Sequence, residues 1–395
     1  MGLSGPCELV FKWFFILAFF IKDFFNLIFK IKEFFNTMRV SGTYAISTTL
    51  SESVQAFVPH PLPPIKPALA PECFVEANRV AELALARLSG VSGLVPSVDW
   101  LLYSAIRKEA LLTSQIEGTQ ATLADLFDEE AGFAVSNTDD VQEVTNYLRA
   151  FRWVQDNLRD ANGLPLSVRL LCDAHRLLLD GARGHGKQPG ELRRSQNWIG
   201  GTRPGNAMFV PPPPERVPAL LADLERFIHD KENVLQALPP LVKTALVHVQ
   251  FETIHPFLDG NGRIGRLLIA ALLEHWNLLP QPLLYLSGYL KQHQAEYYRR
   301  LSNVRTEGDW EGWVAFFLEG VSVAALHAER NIVAIASLLA ADRRKLLASS
   351  KAGPASYRLF EMLPMMPRFN VEPLMATQIP PLLATSNSPT LSAVR

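Results

Sequence analysis

His255-Pro-Phe-Leu-Asp-Gly-Asn-Gly-Arg-Ile-Gly-Arg266 decides the fold, because Gly260 to Gly265 within it match the dinucleotide-binding pattern G-x-G-x-x-G. A Rossmann turn needs a buried hydrophobic strand before it, a helix after it, and an Asp or Glu about 20 residues further on for the ribose. Upstream lies LVKTALVHVQFETI, from Leu241 to Ile254, whose Val242, Ala245, Leu246 and Val249 fall on one helical stripe. At about 20 residues past Gly265 stands Leu284-Tyr-Leu-Ser287, which contains no acid. The strand and the acid are both missing, so the redox reading gives way to helix, short loop, helix.

The residues of that loop carry their own chemistry. Gly260, Asn261 and Gly262 allow a tight turn with converging N–H groups, opening a helix whose Ile264, Leu267, Leu268, Ala271 and Leu272 face a core. A helix N-terminus of this kind accepts phosphates. Arg263 and Arg266, three residues apart, lie on nearby faces where a guanidinium can reach distal phosphates. Asp259 offers a hard oxygen ligand suited to a magnesium ion held with nucleotide phosphates. Pro256 pushes His255 out of the helical region, and a neutral imidazole there could take a proton from an attacking hydroxyl.

Composition bounds what surrounds the loop. A chain of 395 residues buries a full core and, at roughly 150 residues per domain, divides into two or three units. Lys and Arg number 38 against 39 Asp and Glu, so no global charge advertises nucleic acid or a membrane surface, and there is no strong membrane signal. Cys7, Cys73 and Cys172 are odd in number and widely spaced, the pattern of a reduced, cytoplasmic chain.

Along the chain, residues 1–37 form a Phe-rich leader in which ten of the 23 phenylalanines lie between Phe11 and Phe35. Its longest apolar run, Trp13 to Ile21, has nine residues against the roughly 20 of a spanning helix. Three readings stand: sequence upstream of a true start at Met38, an interfacial amphipathic helix, or a secretory leader. Residues 38–71 read as a Pro-rich extended segment, with six prolines between Phe57 and Pro71. Helical spacing covers residues 72–140 and a core of 141–345, with helices over Val141–Asn157, Ser167–Leu179, Val217–Asp230 and Pro240–Ile254, and a long one beyond Trp310. Asn197 to Val210, with the turn residues Arg203-Pro-Gly-Asn206 between two apolar pieces, spells a β-hairpin. After Gly353-Pro354, residues 354–395 show three short helical pieces, over Ala355–Leu363, Val371–Thr377 and from Ser388 on. They suit a partial winged-helix or helix-turn-helix unit.

With every fixed position filled, the opening stretch resembles the Fic family motif, H-P-F-x-D/E-G-N-G-R-x-x-R. The resemblance reaches from the Pro-rich segment to the C-terminal helices. It implies a mostly α fold, a helical bundle with a β-hairpin flap, that transfers AMP from ATP to a Tyr, Thr or Ser hydroxyl of a target protein. By that likeness His255 deprotonates the hydroxyl, Asp259 binds Mg2+, and Gly260, Asn261 and Gly262 hold the phosphates beside Arg263, Ile264 and Gly265. Arg266 would meet the γ-phosphate, and Phe257 would anchor the loop. Tyr289, Gln292, Tyr297 and Tyr298 sit where the family contacts the adenine or packs beneath it. The flap would align the target's backbone by strand addition.

A second stretch, Thr113-Ser-Gln-Ile-Glu-Gly118, resembles the family's inhibitory motif S/T-x-x-x-E-G/N. A Glu117 carboxylate paired to Arg266 would remove the cation that orients the γ-phosphate. The resemblance also carries a homodimer that masks the inhibitory helix. His248 and Glu252, four apart on one helix with no third ligand, read as a structural pair rather than a metal site. A second class of function stays open: a nucleotide-sensing regulator whose C-terminal unit contacts DNA or protein. From Ala355 onward its only cations are Arg358, Arg368 and Arg395, few for neutralising phosphates.

Overall fold

Every residue from Leu241 to Ile254 is buried, although the stretch includes Lys243, His248, Gln250 and Glu252. A helix enclosed on all sides is the axis of a bundle rather than a surface element. The computed structural model describes residues 39–181, 185–230 and 237–368. Its elements, in chain order, are β1 (Gly42–Thr49), β2 (Glu52–Pro59), α1 (Val75–Val91), α2 (Val98–Ile116), α3 (Leu123–Glu130), α4 (Thr138–Arg159), α5 (Val168–Leu178), α6 (Val217–His229), α7 (Pro240–Ile254), α8 (Asn261–His275), α9 (Ser287–Gln292), α10 (Gln294–Glu307), α11 (Trp310–Ala348) and α12 (Pro354–Met362). The enclosed axis is α7, with Pro240 at its first position, where the missing N–H costs nothing.

Around α7 pack α6, α8, α10 and α11, while α4 and α5 pair beside α8 and α2 runs between α4 and α9. The polar groups of α7 are answered locally. Lys243 Nζ donates to Asp230 O at 3.0 Å, Gln250 Nε2 to His60 O at 2.8 Å, and Thr253 Oγ1 to Val249 O at 2.7 Å. Trp313 of α11 is fully buried and donates its indole N–H to Ala245 O at 2.8 Å, tying the two longest-buried helices together. α11 is the one described helix long and apolar enough to cross a membrane. Its buried residues, from Trp310 to Ile332, lie in the bundle core, while only 22% of its most apolar window is buried.

Caps place the helices that carry the site. Ser97 starts α2 by accepting from Asp99 N at 3.2 Å, and Thr122 and Asp125 form a reciprocal capping box at α3. Ser167 starts α5 in the same way, accepting from Leu170 N at 3.3 Å. The mostly α architecture expected from the residue spacing is the one observed.

The strands are a correction. The antiparallel sheet is β1–β2, with Gly42 opposite Pro59 and Thr49 opposite Glu52, inside the segment read from its prolines as merely extended. Between Asn197 and Val210, where a hairpin was expected, a single bridge joins Ile199 to Phe209. Gly200 and Gly201 take φ of 68° and 72°, and a 3-10 turn at Pro204–Asn206 widens the loop, so no ladder can zip. This loop, called the flap below, is held from the side by the sheet: Phe57 N donates to Val210 O at 2.9 Å, and Glu52 accepts from Gly205 N at 3.0 Å. The Phe-rich leader and the second and third helical pieces after Gly353 lie outside the described residues. Of the C-terminal region, α12 and a following 3-10 turn at Leu363–Met365 are described.

Candidate active site

The chain leaves α7 through a residue in an unusual conformation. His255 caps the helix at φ 49° and ψ 63°, left-handed rather than extended, with its N–H on Phe251 O at 2.9 Å. A non-glycine residue in this region costs on the order of 1 kcal/mol and persists only when its neighbours impose it. Here the neighbour is Arg193, buried to 2 % exposure. Its Nε donates to His255 O at 2.8 Å, its Nη2 to Pro212 O at 2.6 Å, and its backbone N–H to Pro256 O at 2.9 Å. A guanidinium thus occupies the C-terminus of α7, where carbonyls lack helical partners and the dipole favours a cation. Nothing in the sequence pattern marks Arg193, which lies 62 residues before the loop it braces.

The same loop is held from its other side. Phe257 is 1 % exposed and stacks on His175 of α5, ring centroids 3.9 Å apart and planes within 8°. His175 Nδ1 accepts from Gly190 N at 2.9 Å, which leaves Nε2 protonated to donate to Asp259 O at 3.0 Å. Burial lowers the His175 pKa to about 4, so the ring stays neutral and fixed in this tautomer. The side chain of Asn261 turns back on the loop, accepting from Phe257 N at 2.8 Å and donating to Phe257 O at 2.9 Å. Its amide is therefore spent on the loop, and what Asn261 can offer a phosphate is its backbone N–H.

α8 begins at Gly260, which has φ 74°. The first N–H returned within the helix is that of Ile264, to Gly260 O at 3.0 Å. The amides of Asn261, Gly262 and Arg263 are the ones left without helical partners, as at any helix start. Ile264 and Gly265, expected among the phosphate contacts, face the other way. Ile264 is wholly buried, and Gly265 accepts from His248 Nδ1 at 3.0 Å while a Cβ there would lie 2.2 Å from Glu252 Oε1. They let α7 and α8 approach. His248 and Glu252 are accordingly not a pair: the second His248 nitrogen meets the Tyr297 hydroxyl at 2.8 Å, and Glu252 Oε1 has no hydrogen-bond partner among the described residues.

The Glu117 carboxylate, at the C-cap of α2, meets Arg266 at 2.5 Å from Oε1 to Nη2. Arg266 also donates from Nε to Thr113 Oγ1 at 2.6 Å and from Nη2 to Thr113 O at 3.1 Å. Both ends of the Thr113-to-Gly118 stretch therefore converge on one guanidinium. Burial works to raise the Glu117 pKa, but Arg266 outweighs it and holds the carboxyl below its usual value. For Arg266, burial disfavours the charge and Glu117 more than restores it, raising the pKa.

His255 presents an Nδ1 that is buried and without a hydrogen-bond partner among the described residues. Burial first, and the Arg193 charge second, lower its pKa to about 4, so it is unprotonated at neutral pH. On the far side of the loop a cavity of about 260 Å³ is lined by Glu117, Glu143, Asp180, Asp259 and Arg263 among others. Arg263 is held there by Glu143 at 3.2 Å and lies 3.8 Å from Asp259. Tyr289 and Gln292 are not brought to this cavity. Tyr289 packs on α11, where a Cβ at Gly320 would lie 2.7 Å from its ring, and Gln292 is exposed. The His293 Nδ1 lies 3.0 Å from Tyr289 O.

The enclosed α-helical bundle thus brings a neutral histidine, a helix start with free amides and two arginines of α8 together between His255 and Arg266. Residues 75–156 match the Fic/DOC family N-terminal model and residues 165–273 the Fic/DOC family model. These two segments carry Fic/DOC family domains. It is 28% identical over 212 residues to the protein adenylyltransferase Fic of Drosophila ananassae and 29% over 209 residues to that of Aedes aegypti. Those alignments take in 52% of this chain but 38% of each relative, so the chain spans under half the length of the curated relatives it matches. Among solved structures, a Fic family protein from Desulfovibrio desulfuricans is similar at a TM-score of 0.55 and 26% identity, covering 66% of this chain and 75% of that one. Fic-1 of C. elegans has the same fold at a TM-score of 0.51 and 20% identity, covering 67% and 73%.

Proposed function

We propose that this chain is an autoinhibited protein adenylyltransferase that moves AMP from ATP to a Tyr, Thr or Ser hydroxyl of a target protein or of itself. The hydroxyl oxygen attacks the α-phosphorus, the bond to the β-phosphate oxygen breaks, pyrophosphate leaves, and the hydroxyl proton passes to His255. A base must begin unprotonated, and His255 does. The amides of Asn261, Gly262 and Arg263 would bind phosphate oxygens, and Arg263 and Arg266 the distal charge.

A magnesium–phosphate pair fits the donors present. Asp259 is about half exposed toward the cavity, and its Oδ1 takes one bond, from Gly260 N at 2.6 Å. No group of three His, Cys, Asp or Glu occurs among the described residues, so this carboxylate would share the ion with phosphate oxygens and water. The ion would supply neutralisation of phosphate charge when bound.

The observation that carries the reading is the Glu117–Arg266 contact across a loop otherwise ready for an anion. With that cation engaged, the γ-phosphate loses the arginine that would align it, and the α-phosphorus faces away from the hydroxyl. The regulator reading has less to stand on, since the described helix of the C-terminal region, α12, carries Arg358 as its one basic residue.

The test is incubation of three purified proteins with magnesium and ATP labelled on the α-phosphate: the parent, Glu117→Gly, and Glu117→Gly with His255→Ala. Strong self-labelling in the single variant alone is the expected result. Labelling in none of them, with nucleotide still bound, overturns the transferase reading in favour of a sensor.

A further inference from the structure

Arg305, in the last turn of α10, is an arginine that the chemistry above does not use. It is partly buried, and its guanidinium carbon lies 3.9 Å above the ring centroid of Phe209 on the flap. It makes no hydrogen bond or ion pair with any described residue, in contrast to Arg193, Arg263 and Arg266. Withdrawing a guanidinium from water without a partner is costly, so such a group is poised for an anion.

Its surroundings say which side of the reaction that anion comes from. Phe209 packs on Phe57 of β2 at 6.4 Å, and Phe57 carries Tyr44 of β1 edge-on at 5.4 Å. Tyr44, Ile46 and Met208 around them are 60%, 80% and 88% exposed. The Arg305 charge is felt by His255 and by Glu252. Glu252 does not fully answer it, because burial raises that carboxyl to about 7. Arg305 is absent from the lining of the cavity where Glu117, Asp259 and Arg263 meet. It therefore stands on the flap side of His255, where the acceptor protein approaches, and the phosphates already have three amides and two arginines of their own.

We propose that Arg305 reads an acidic side chain of the acceptor protein next to the modified hydroxyl, so that the chain selects Tyr, Thr or Ser residues flanked by Asp or Glu. The assignment rests on the adenylyltransferase reading. The flap and the β1–β2 sheet supply apolar and backbone contacts that carry little sequence information, and the guanidinium supplies the discrimination.

The experiment uses the full chain carrying Glu117→Gly, α-labelled ATP with magnesium, and a peptide library with a central Tyr, Thr or Ser and randomised flanks. Labelled peptides are sequenced for the Arg305 chain and for Arg305→Lys, Arg305→Ala and Arg305→Glu. The expected result is about tenfold enrichment of Asp or Glu at one flanking position. Lysine should retain it, and alanine should lose it while neutral peptides keep their rate. Glutamate should turn the preference toward Lys or Arg. Unchanged acidic enrichment with alanine, no enrichment at all, or an unlabelled library beside a self-labelled chain each overturns the assignment. A uniform loss across peptides with a raised KM for ATP also overturns it, because Arg305 would then serve the nucleotide. If neither library nor chain is labelled, the adenylyltransferase reading itself fails.

Discussion

The Glu117 carboxylate lies directly over the backbone of Gly262: a Cβ at that residue would come within 2.3 Å of Oε1 and 3.0 Å of Arg266 Nη1. The Glu117 side chain thus fills space above the first turn of α8 as well as engaging its arginine. Phosphate oxygens bound to the free amides there would need the same room.

Glu117→Gly should raise AMP incorporation at least about tenfold, and Glu117→Gln should fall between it and the parent, since the amide keeps the bulk but loses the charge. The substitution leaves Arg266 with its Thr113 bonds, and a lost charge-assisted bond is worth about 2 kcal/mol, so a small drop in thermal midpoint should accompany activation. A rise in stability with no rise in incorporation would contradict this account.

Gly262→Ala in the Glu117→Gly background separates occupancy from charge. A methyl group above the first turn should weaken ATP binding about tenfold, as read by titration calorimetry, with the helix itself unharmed because alanine favours it. Equal ATP affinity in the two proteins would place the nucleotide elsewhere.

Arg193→Met should both destabilise the fold and slow the reaction. Carbonyls of Pro212 and His255 would lose their charged donor, at a cost of about 3 kcal/mol or more, and His255 would lose the brace that holds it left-handed. Denaturant midpoints and single-turnover labelling measure the two effects. A destabilised variant with an unchanged labelling rate would show that the brace is not needed for geometry.

Stability should depend on pH through groups of opposite sign. His175, His248 and His255 are pushed down by burial to about 4, 3 and 4, so the stability their neutral forms contribute is present above the unfolded value near 6.5 and is lost as pH falls toward 4. Glu109 and Glu252 are raised by burial to about 7, so their contribution is present below about 4.5 and lost as pH rises through 7. Glu252→Gln removes one of the latter. Its urea midpoint relative to the parent should improve between pH 5 and pH 8, and a difference that stays flat would mean Glu252 is not protonated in the fold.

The loop chemistry was legible because twelve adjacent residues carry it, and the flanking stripe of Val242, Ala245, Leu246 and Val249 revealed the helix before it. The sheet was not. Leu50 and Ser51 make its turn with φ of 48° and 64°, and neither residue type signals a left-handed turn as Asn-Gly would. Long-range partners were equally hidden: Arg193 and His175 fix the loop from other elements, and no spacing connects them to it. His248 and Glu252 were misread as a pair because helical spacing puts them on one face, whereas the close approach at Gly265 and the hydroxyl of Tyr297 divide them.

Glu117 ends α2 and does not sit within it. Gly118 follows at φ 103°, with open space around it, whereas the two Thr113 bonds to Arg266 lie a full turn earlier. The carboxylate can swing clear by rearranging a one-residue hinge while the helix stays seated and the arginine stays latched in place. Side-chain and local loop motions run in picoseconds to microseconds, against microseconds to milliseconds for a helix shift. Under the inhibition proposed above, the brake should therefore leak, the carboxylate swinging clear faster than any helix shift, and an activator would need only to prolong that visit.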